Sequence, residues 1–209
     1  MGPTNPWGMP EDQNGYVNFD LDQAKAEVEA YKQDSHQPTL TFTLLGTPGV
    51  DDIKVYQLLQ SQWADAGIDM KIETLEQTAY ISKVVVSNFE AASSRNYGFA
   101  DPDSNFAFWS SSTAQGVGNL SINFTQYTTP ALEADLTTGR QSGYPDVRKQ
   151  AYNDLTRQLN AGLNNIWLYR TPYSLIADPQ VNGLVKAQDV GFGGYQPKTW
   201  WGDVWRSQS

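Results

Sequence analysis

Apolar and hydroxyl side chains alternate without a break over residues 39–45, with Leu40, Phe42 and Leu44 on one side and Thr39, Thr41 and Thr43 on the other. A period of two is the mark of a half-buried strand. Beyond the turn residues Gly46, Thr47, Pro48 and Gly49 the period becomes helical. Val55, Leu58, Leu59 and Trp63 form a stripe over 51–66, Asp51 and Asp52 favour the helix N-terminus, and Gly67 closes it. Alternation returns with Ile68, Met70 and Ile72 against Asp69, Lys71 and Glu73. Strand, helix and strand in this order, with a crossover of this length, predict parallel pairing. A second helix over 78–87 turns Ile81, Val84 and Val85 inward, and 89–95 reads as a short third strand. The resulting order defines an α/β layer.

The flanks are plainer. Residues 1–17, rich in Pro, Gly and Asn, read as an extended lead-in. A helix starts after Asp20, whose spacing from Gln23 makes a capping box, and carries Ala24, Val28 and Tyr31 on one face until 35–38 ends it. Residues 115–126 show no period; Asn119 and Asn123 there head two formal glycosylation sequons. Pro130 opens a short helix over 129–136. A stronger one spans 145–161 with Val147, Ala151, Leu155 and Leu159 as its stripe. Residues 166–176 have strand composition, interrupted at Pro172, a further short strand is expected around Leu184 and Val185, and a tail over 188–209 is rich in Gly and Trp. The α/β lobe is thus expected over 18–187.

Composition narrows the function classes. A net charge of −9 argues against nucleic acid and against an anionic membrane surface. No apolar run approaches the length of a membrane span. With no Cys, disulfides, thiolate catalysis and zinc-thiolate sites are absent together. The opening residues have neither a basic nor an apolar leader region and read like the middle of a protein placed behind a start codon. The aromatic content of 12%, with seven Trp and only modest charge, suggests an apolar surface facing a ligand or partner, although much of it must be core.

Candidate chemistry concentrates at the end of the third strand. Residues 96–106 hold Tyr97, Phe99, Asp101, Asp103 and Asn105 on a loop bent by Gly98 and Pro102, where ligands of α/β proteins bind. The plainer reading is an acidic turn in which the aspartates cap a following helix. Asp101, Asp103 and Asn105 also match the start of an EF-hand loop, but Phe106 and Ser112 stand where Gly and a bidentate Glu belong, so no metal is expected. Tyr80 either faces a ligand cleft or packs in the core. Arg95 either neutralises Asp101, meets a ligand carboxylate, or forms a surface ion pair. Trp63 and Trp167 fall on apolar faces and are expected in the core, whereas Trp200, Trp201 and Trp205 either pack on this lobe or form a bare patch. His36 is the single histidine, in a polar turn, so a Ser-His-Asp triad is untenable, and Asp101 and Asp103 are too close in sequence to flank a glycosidic bond. No catalytic residue is assigned.

Four ordered motifs resemble family 5 of the bacterial extracellular solute-binding proteins. Phe19, Asp20, Gln23, Ala24, Lys25 and Ala26 resemble the family's YDPEKAKALL helix start. Gln62, Trp63, Ala66, Gly67 and Ile68 resemble its passage from helix to strand. The loop over 97–106 resembles its W..DYPDP..F loop, and Asn123, Tyr127 and Pro130 followed by Arg148 and Tyr152 resemble its N...Y.NP and R...Y spacings.

The resemblance implies the C-terminal lobe of a two-lobed, periplasmic-binding-protein-like fold, with a mixed sheet flanked by helices and the other lobe upstream. The tail over 188–209 would return toward that other lobe. The resemblance also implies a non-catalytic, monomeric component of an ABC importer without cofactor, which takes a peptide or related small solute and meets a permease. Such a protein is periplasmic or extracellular, there held at the cell surface by a lipid anchor. The ligand residues would be Tyr97, Phe99, Asp101, Asp103, Asn105, Tyr80, Arg95 and Tyr127, with Tyr97 where the family places a cleft Trp. In peptide-binding members an Asp of this loop pairs with the ligand amine; here the loop is shorter and Ala100 falls at that place. Asp101 or Asp103 would substitute. A sugar ring would use the same aromatics and carboxylates, so an oligosaccharide or a metal chelate is the alternative ligand. The alternatives from other classes are a carbohydrate-active enzyme and a sensor or adhesion lobe.

Overall fold

The computed structural model describes residues 6–96, 101–169, 176–183 and 204–207. In chain order the elements are α1 (Leu21–Ser35), β1 (Leu40–Gly46), α2 (Val50–Asp65), β2 (Ile68–Thr74), α3 (Gln77–Val84), β3 (Ala91–Ala92), α4 (Phe106–Trp109), α5 (Pro130–Gln141), α6 (Pro145–Ala161), β4 (Val181–Asn182) and β5 (Trp205–Arg206). They belong to two compact units, one of residues 17–95 and 111–127, the other of 1–16, 96–110 and 128–209.

The first unit is the α/β layer. Its three strands run in the order β2-β1-β3, all parallel, with Leu40 opposite Ile68 and Leu44 opposite Ala91. Both faces of β1 are covered, which is the usual condition of a parallel sheet. Leu44 joins Tyr56 of α2 and Met70 of β2 in one apolar cluster, and the adjacent Leu45 joins Tyr80 and Val84 of α3 in another. The stripe of α2 is Tyr56, Leu59 and Trp63: Leu59 and Trp63 are as expected, Tyr56 stands in place of the adjacent Val55, and Leu58 is exposed. Trp63 is half-buried against Phe42, at 5.2 Å between rings. On α3 the buried pair is Tyr80 and Val84, and Ile81 points outward. The third strand is two residues, not seven as expected, because only Ala91 and Ala92 pair with β1. Asp20 caps α1 through a hydrogen bond from Gln23 N at 2.9 Å, as its spacing predicted.

Residues 111–127 close over α3 as an irregular loop held by polar side chains. Ser121 N donates to Val85 O and Gly118 N to Val86 O. Ser87 and Asn123 are buried; Gln126 donates to Ser87 Oγ at 2.8 Å and Asn123 Nδ2 to Tyr127 O at 3.2 Å. The second of the two sequons is thus a buried structural turn.

In the second unit α5 and α6 pack through Leu132, Leu136 and Gly139 against Ala151, Tyr152, Leu155 and Leu159. Thr129 caps α5, which continues to Gln141 and is longer than its sequence suggested. The lead-in is anchored, not merely extended. Met9 is buried, Trp7 meets Tyr152 edge-on at 5.8 Å, and the carbonyls of Gln13 and Asn14 accept from Arg157 and Asn160. Residues 166–169 are not strand; Trp167 is exposed to 44%, meets Trp109 edge-on and donates to Asn160. Antiparallel β4 and β5 bring Asn182 opposite Trp205, which is exposed. The strand expected around Leu184 and Val185, and Trp200 and Trp201, lie outside the described residues.

Candidate functional site

The loop begins where β3 ends. Tyr97 and Phe99 lie outside the described residues, so its described part starts at Asp101. Asp101 is the N-cap of a short 3-10 helix, Pro102–Asn105, and accepts from Asp103 N at 2.9 Å. Pro102 at the first helical position suits this turn, since its missing N–H would have no partner there. The helix leads into α4.

Two arginines hold this turn. Arg148 of α6 places Nη2 at 2.7 and 2.9 Å from the two carboxylate oxygens of Asp101. Arg140 of α5 reaches Asp103 with Nε at 2.8 Å and Nη2 at 3.1 Å, a two-point contact of the kind planar guanidinium favours. Arg148 is set in turn by Nε donating to Gly139 O at 2.7 Å and by the rings of Trp7 at 4.9 Å and Tyr152 at 5.7 Å. Arg140 stacks over Phe106 at 3.6 Å. The hydrogen bond from Arg148 holds the Asp101 carboxyl below the usual carboxylate range, against a smaller opposing effect of burial. The Asn105 carboxamide oxygen is buried without a hydrogen-bond partner among the described residues, and so is the Tyr152 hydroxyl, whose phenol is pushed up by burial.

The remaining candidates stand in the α/β unit. Tyr80 is in the core, 8% exposed, with its hydroxyl donating to Ser93 O. Burial, with a smaller contribution from Tyr56, pushes its phenol up to about 12. Of the two readings of Tyr80, core packing holds: a hydroxyl that satisfies a strand-end carbonyl is a packing device. Arg95 is exposed and approaches Asp52 of α2 at 3.5 Å, beside Thr47 Oγ1, which donates to the other oxygen of Asp52 at 3.2 Å. Tyr127 is half-buried and held at both ends of its backbone, by Asn123 and by Thr125 Oγ1.

The structure brings Asp101, Asp103 and Asn105 onto one turn, and the groups the aspartates meet come from elsewhere in the chain. Arg140, Arg148 and Tyr152 come from two later helices. The signal for them was present in the helix register: Arg148 and Tyr152 are one turn apart on α6, next to the apolar stripe. Among the described residues no three His, Cys, Asp or Glu side chains come together as a metal would need, and no helix is long and apolar enough to cross a membrane.

Comparison with known proteins follows the same lines. A search of curated proteins gives no match. Among solved structures, the periplasmic binding protein DppA of Helicobacter pylori, in complex with the peptide STSA, is 24% identical. The match covers 77% of this chain and 31% of that one, with a TM-score of 0.61. The oligopeptide-binding protein AppA of Bacillus subtilis, in complex with a nonapeptide, is 15% identical over 99% of this chain and 41% of its own, at a TM-score of 0.70. NikZ of Campylobacter jejuni, in complex with Ni(L-His), is 17% identical over 70% and 31%, at 0.57. The chain thus spans between about a third and two fifths of the length of these proteins, and at such identities the likeness is one of fold, α/β with helices flanking a parallel sheet. The family model described as Bacterial extracellular solute-binding proteins, family 5 Middle, matches residues 1–118, more than half of the chain. The chain belongs to family 5 of the bacterial extracellular solute-binding proteins.

Proposed function

We propose that the chain is the ligand-binding part of the solute-binding component of an ABC importer, taking peptides or related small solutes outside the cytoplasmic membrane and delivering them to a permease. Family membership over residues 1–118 is the observation that carries this reading. The peptides held by DppA and AppA support the ligand class. The role is binding and not catalysis. The lone His36 is exposed at the end of α1, and the two loop carboxylates are both held by arginines, which leaves neither as a general acid.

The ligand contacts we assign to the loop are Tyr97, Phe99 and the Asn105 turn, with Arg95 as the group that meets a solute carboxylate. Arg95 suits that role because its side chain is 57% exposed just beyond β3. Ni(L-His) in NikZ supports a second reading, a metal chelate on the same scaffold.

Native mass spectrometry of the protein, purified gently in the longest polypeptide that its gene encodes, tests the proposal. Retained short peptides are the expected result. A retained chelate or sugar moves the assignment to the second ligand class. A protein that never retains a small solute, from any growth medium, overturns the transport reading.

A further inference from the structure

Asparagine followed by glycine occurs twice in the chain, at Asn14 with Gly15 and at Asn182 with Gly183. In such a step the backbone nitrogen of the glycine is a nucleophile for the asparagine side-chain carbonyl, because no side chain shields it. The fold treats the two steps differently. Asn14 stands at the exit of the 3-10 turn Glu11–Gln13, and Gly15 follows in a left-handed conformation, φ 73°. Tyr16 N donates to Asn14 Oδ1 at 2.7 Å, which folds the side chain back onto its own backbone as an Asx turn. That donor points at the oxygen on which negative charge develops when Cγ is attacked. Gly15 is exposed, and neither its nitrogen, the attacking group, nor Asn14 Nδ2, the leaving group, makes a hydrogen bond among the described residues. At the other step the leaving group is engaged instead. Asn182 Nδ2 donates to Gln180 O at 2.8 Å, its Oδ1 accepts from no described residue, and its backbone lies opposite Trp205 in the ribbon of β4 and β5.

We propose that Asn14 is a site of spontaneous deamidation promoted by its own Asx turn. Gly15 N gives its proton to water and bonds to Cγ; the Cγ–Nδ2 bond breaks and ammonia leaves, closing a cyclic imide. Water then opens the imide. Opening at the side-chain carbonyl leaves aspartate, and opening at the main-chain carbonyl leaves isoaspartate, whose backbone runs through Cγ and is one methylene longer. One water is consumed and one ammonia released, and no oxidant or reductant is needed. The longer product acts on the lead-in. Gln13 O and Asn14 O accept from Arg157 Nε at 3.0 Å and from Asn160 Nδ2 at 2.7 Å, one turn apart on α6. Gly15 lies so near that a Cβ on it would stand 3.6 Å from Arg157 Cα. A methylene inserted between Asn14 and Gly15 takes these contacts out of register, whereas aspartate keeps the backbone path. The isoaspartate form therefore unclasps the lead-in from α6.

The full chain, aged in warm, mildly alkaline buffer made with heavy-oxygen water, provides the test. Peptide mapping follows both asparagines, and electron-transfer fragmentation separates aspartate from isoaspartate. Asn14 should convert about tenfold faster than Asn182, each converted residue carrying a solvent oxygen. In guanidinium chloride, where neither turn nor ribbon persists, the two rates should become alike. An Asn14 that stays intact overturns the proposal. So do equal rates in the native protein, or a difference that persists in denaturant, because sequence and not fold would then set the rate. Hydrogen exchange over residues 6–16 reads the consequence. It should be faster in the isoaspartate fraction than in fresh protein, and unchanged in freshly prepared Asn14→Asp. Exchange as slow in the isoaspartate fraction as in fresh protein overturns the unclasping. Equal loosening in Asn14→Asp overturns it as well, since charge and not chain length would then be the cause.

Discussion

Gly139 of α5 lies so close to the ring of Tyr152 on α6 that a Cβ on the glycine would stand 2.6 Å from Tyr152 Cζ. Tyr152 in turn flanks Arg148, the residue that grips Asp101. The closeness of two helices thus sets the position of the loop's anchor.

Gly139→Ala should therefore be destabilising although it places a better helix former in a helix. The gain in propensity is about 1 kcal/mol. Overpacking against a buried ring costs about 1–3 kcal/mol. The ring is held by Trp7 on one side and the helix on the other, so we expect a net loss of up to about 2 kcal/mol. Urea unfolding should show a lower midpoint at an unchanged slope. A variant as stable as the parent would show that Tyr152 moves aside freely.

How much of this was legible in the sequence depended on the range of the interactions. Period-two runs such as Leu40, Phe42 and Leu44, and the Asp20 cap, are local, and they formed as read. On α2 the expected stripe formed at Leu59 and Trp63 but not at Leu58, which is as apolar and lies exposed; only the strand the helix covers decides which is inside. The third strand shortened because only Ala91 and Ala92 pair with β1, which the composition of residues 89–95 does not reveal. At the site, the acidic turn could be read from Asp101, Pro102 and Asp103, whereas the arginines that neutralise it come from 37 and 47 residues further on. No local pattern connects them.

The Asp101 pair carries a pH dependence of definite sign. The native carboxyl lies below the usual range because Arg148 holds it ionised. The unfolded carboxyl titrates near 3.9, so the stabilisation is complete above about pH 5 and is lost as pH falls through the native value. Both members are partly exposed, at 21% and 43% of their side chains, so the effect is modest and screened by salt. Asp101→Asn should be less stable than the parent at neutral pH, and the gap should narrow on acidification below about pH 4. A gap that stays constant with pH would mean that the turn is held by the Asp101 cap and not by the charge pair.

His36 closes α1 in a left-handed conformation, φ 56°, that side chains other than glycine adopt at a cost. Its side chain is exposed. Glycine at a helix C-terminus takes this conformation without strain. His36→Gly should raise stability by about 0.5–1 kcal/mol, after the extra freedom of glycine in the unfolded chain is counted. Thermal unfolding would register it as a small rise in Tm. A fall would indicate that the imidazole itself makes a contact worth keeping.

Two buried tyrosines should respond in opposite ways to the loss of their hydroxyls. Tyr80 donates to Ser93 O at the end of β3, and the bond satisfies both groups. Tyr80→Phe orphans the carbonyl and should cost about 1–2 kcal/mol. Its phenol is pushed up to about 12, so the native state disfavours the tyrosinate. For a group raised in the folded protein, the stability it contributes is intact below the unfolded value near 10 and drains away as pH climbs toward 12. The difference between parent and Tyr80→Phe should therefore shrink over that alkaline window. Tyr152 is as deeply buried, but its hydroxyl makes no hydrogen bond of standard geometry among the described residues, with the Arg148 guanidinium near enough only to oppose the burial that raises its phenol. Removing it discards an unpaired polar atom and leaves the ring against Gly139, so Tyr152→Phe should be neutral or stabilising by up to about 1 kcal/mol. Measured side by side by urea unfolding, the two substitutions share their chemistry and differ only in whether the oxygen is bonded. If Tyr152→Phe proved as costly as Tyr80→Phe, the Tyr152 hydroxyl would have to be bonded in solution, with the Arg148 guanidinium beside it as the donor to examine.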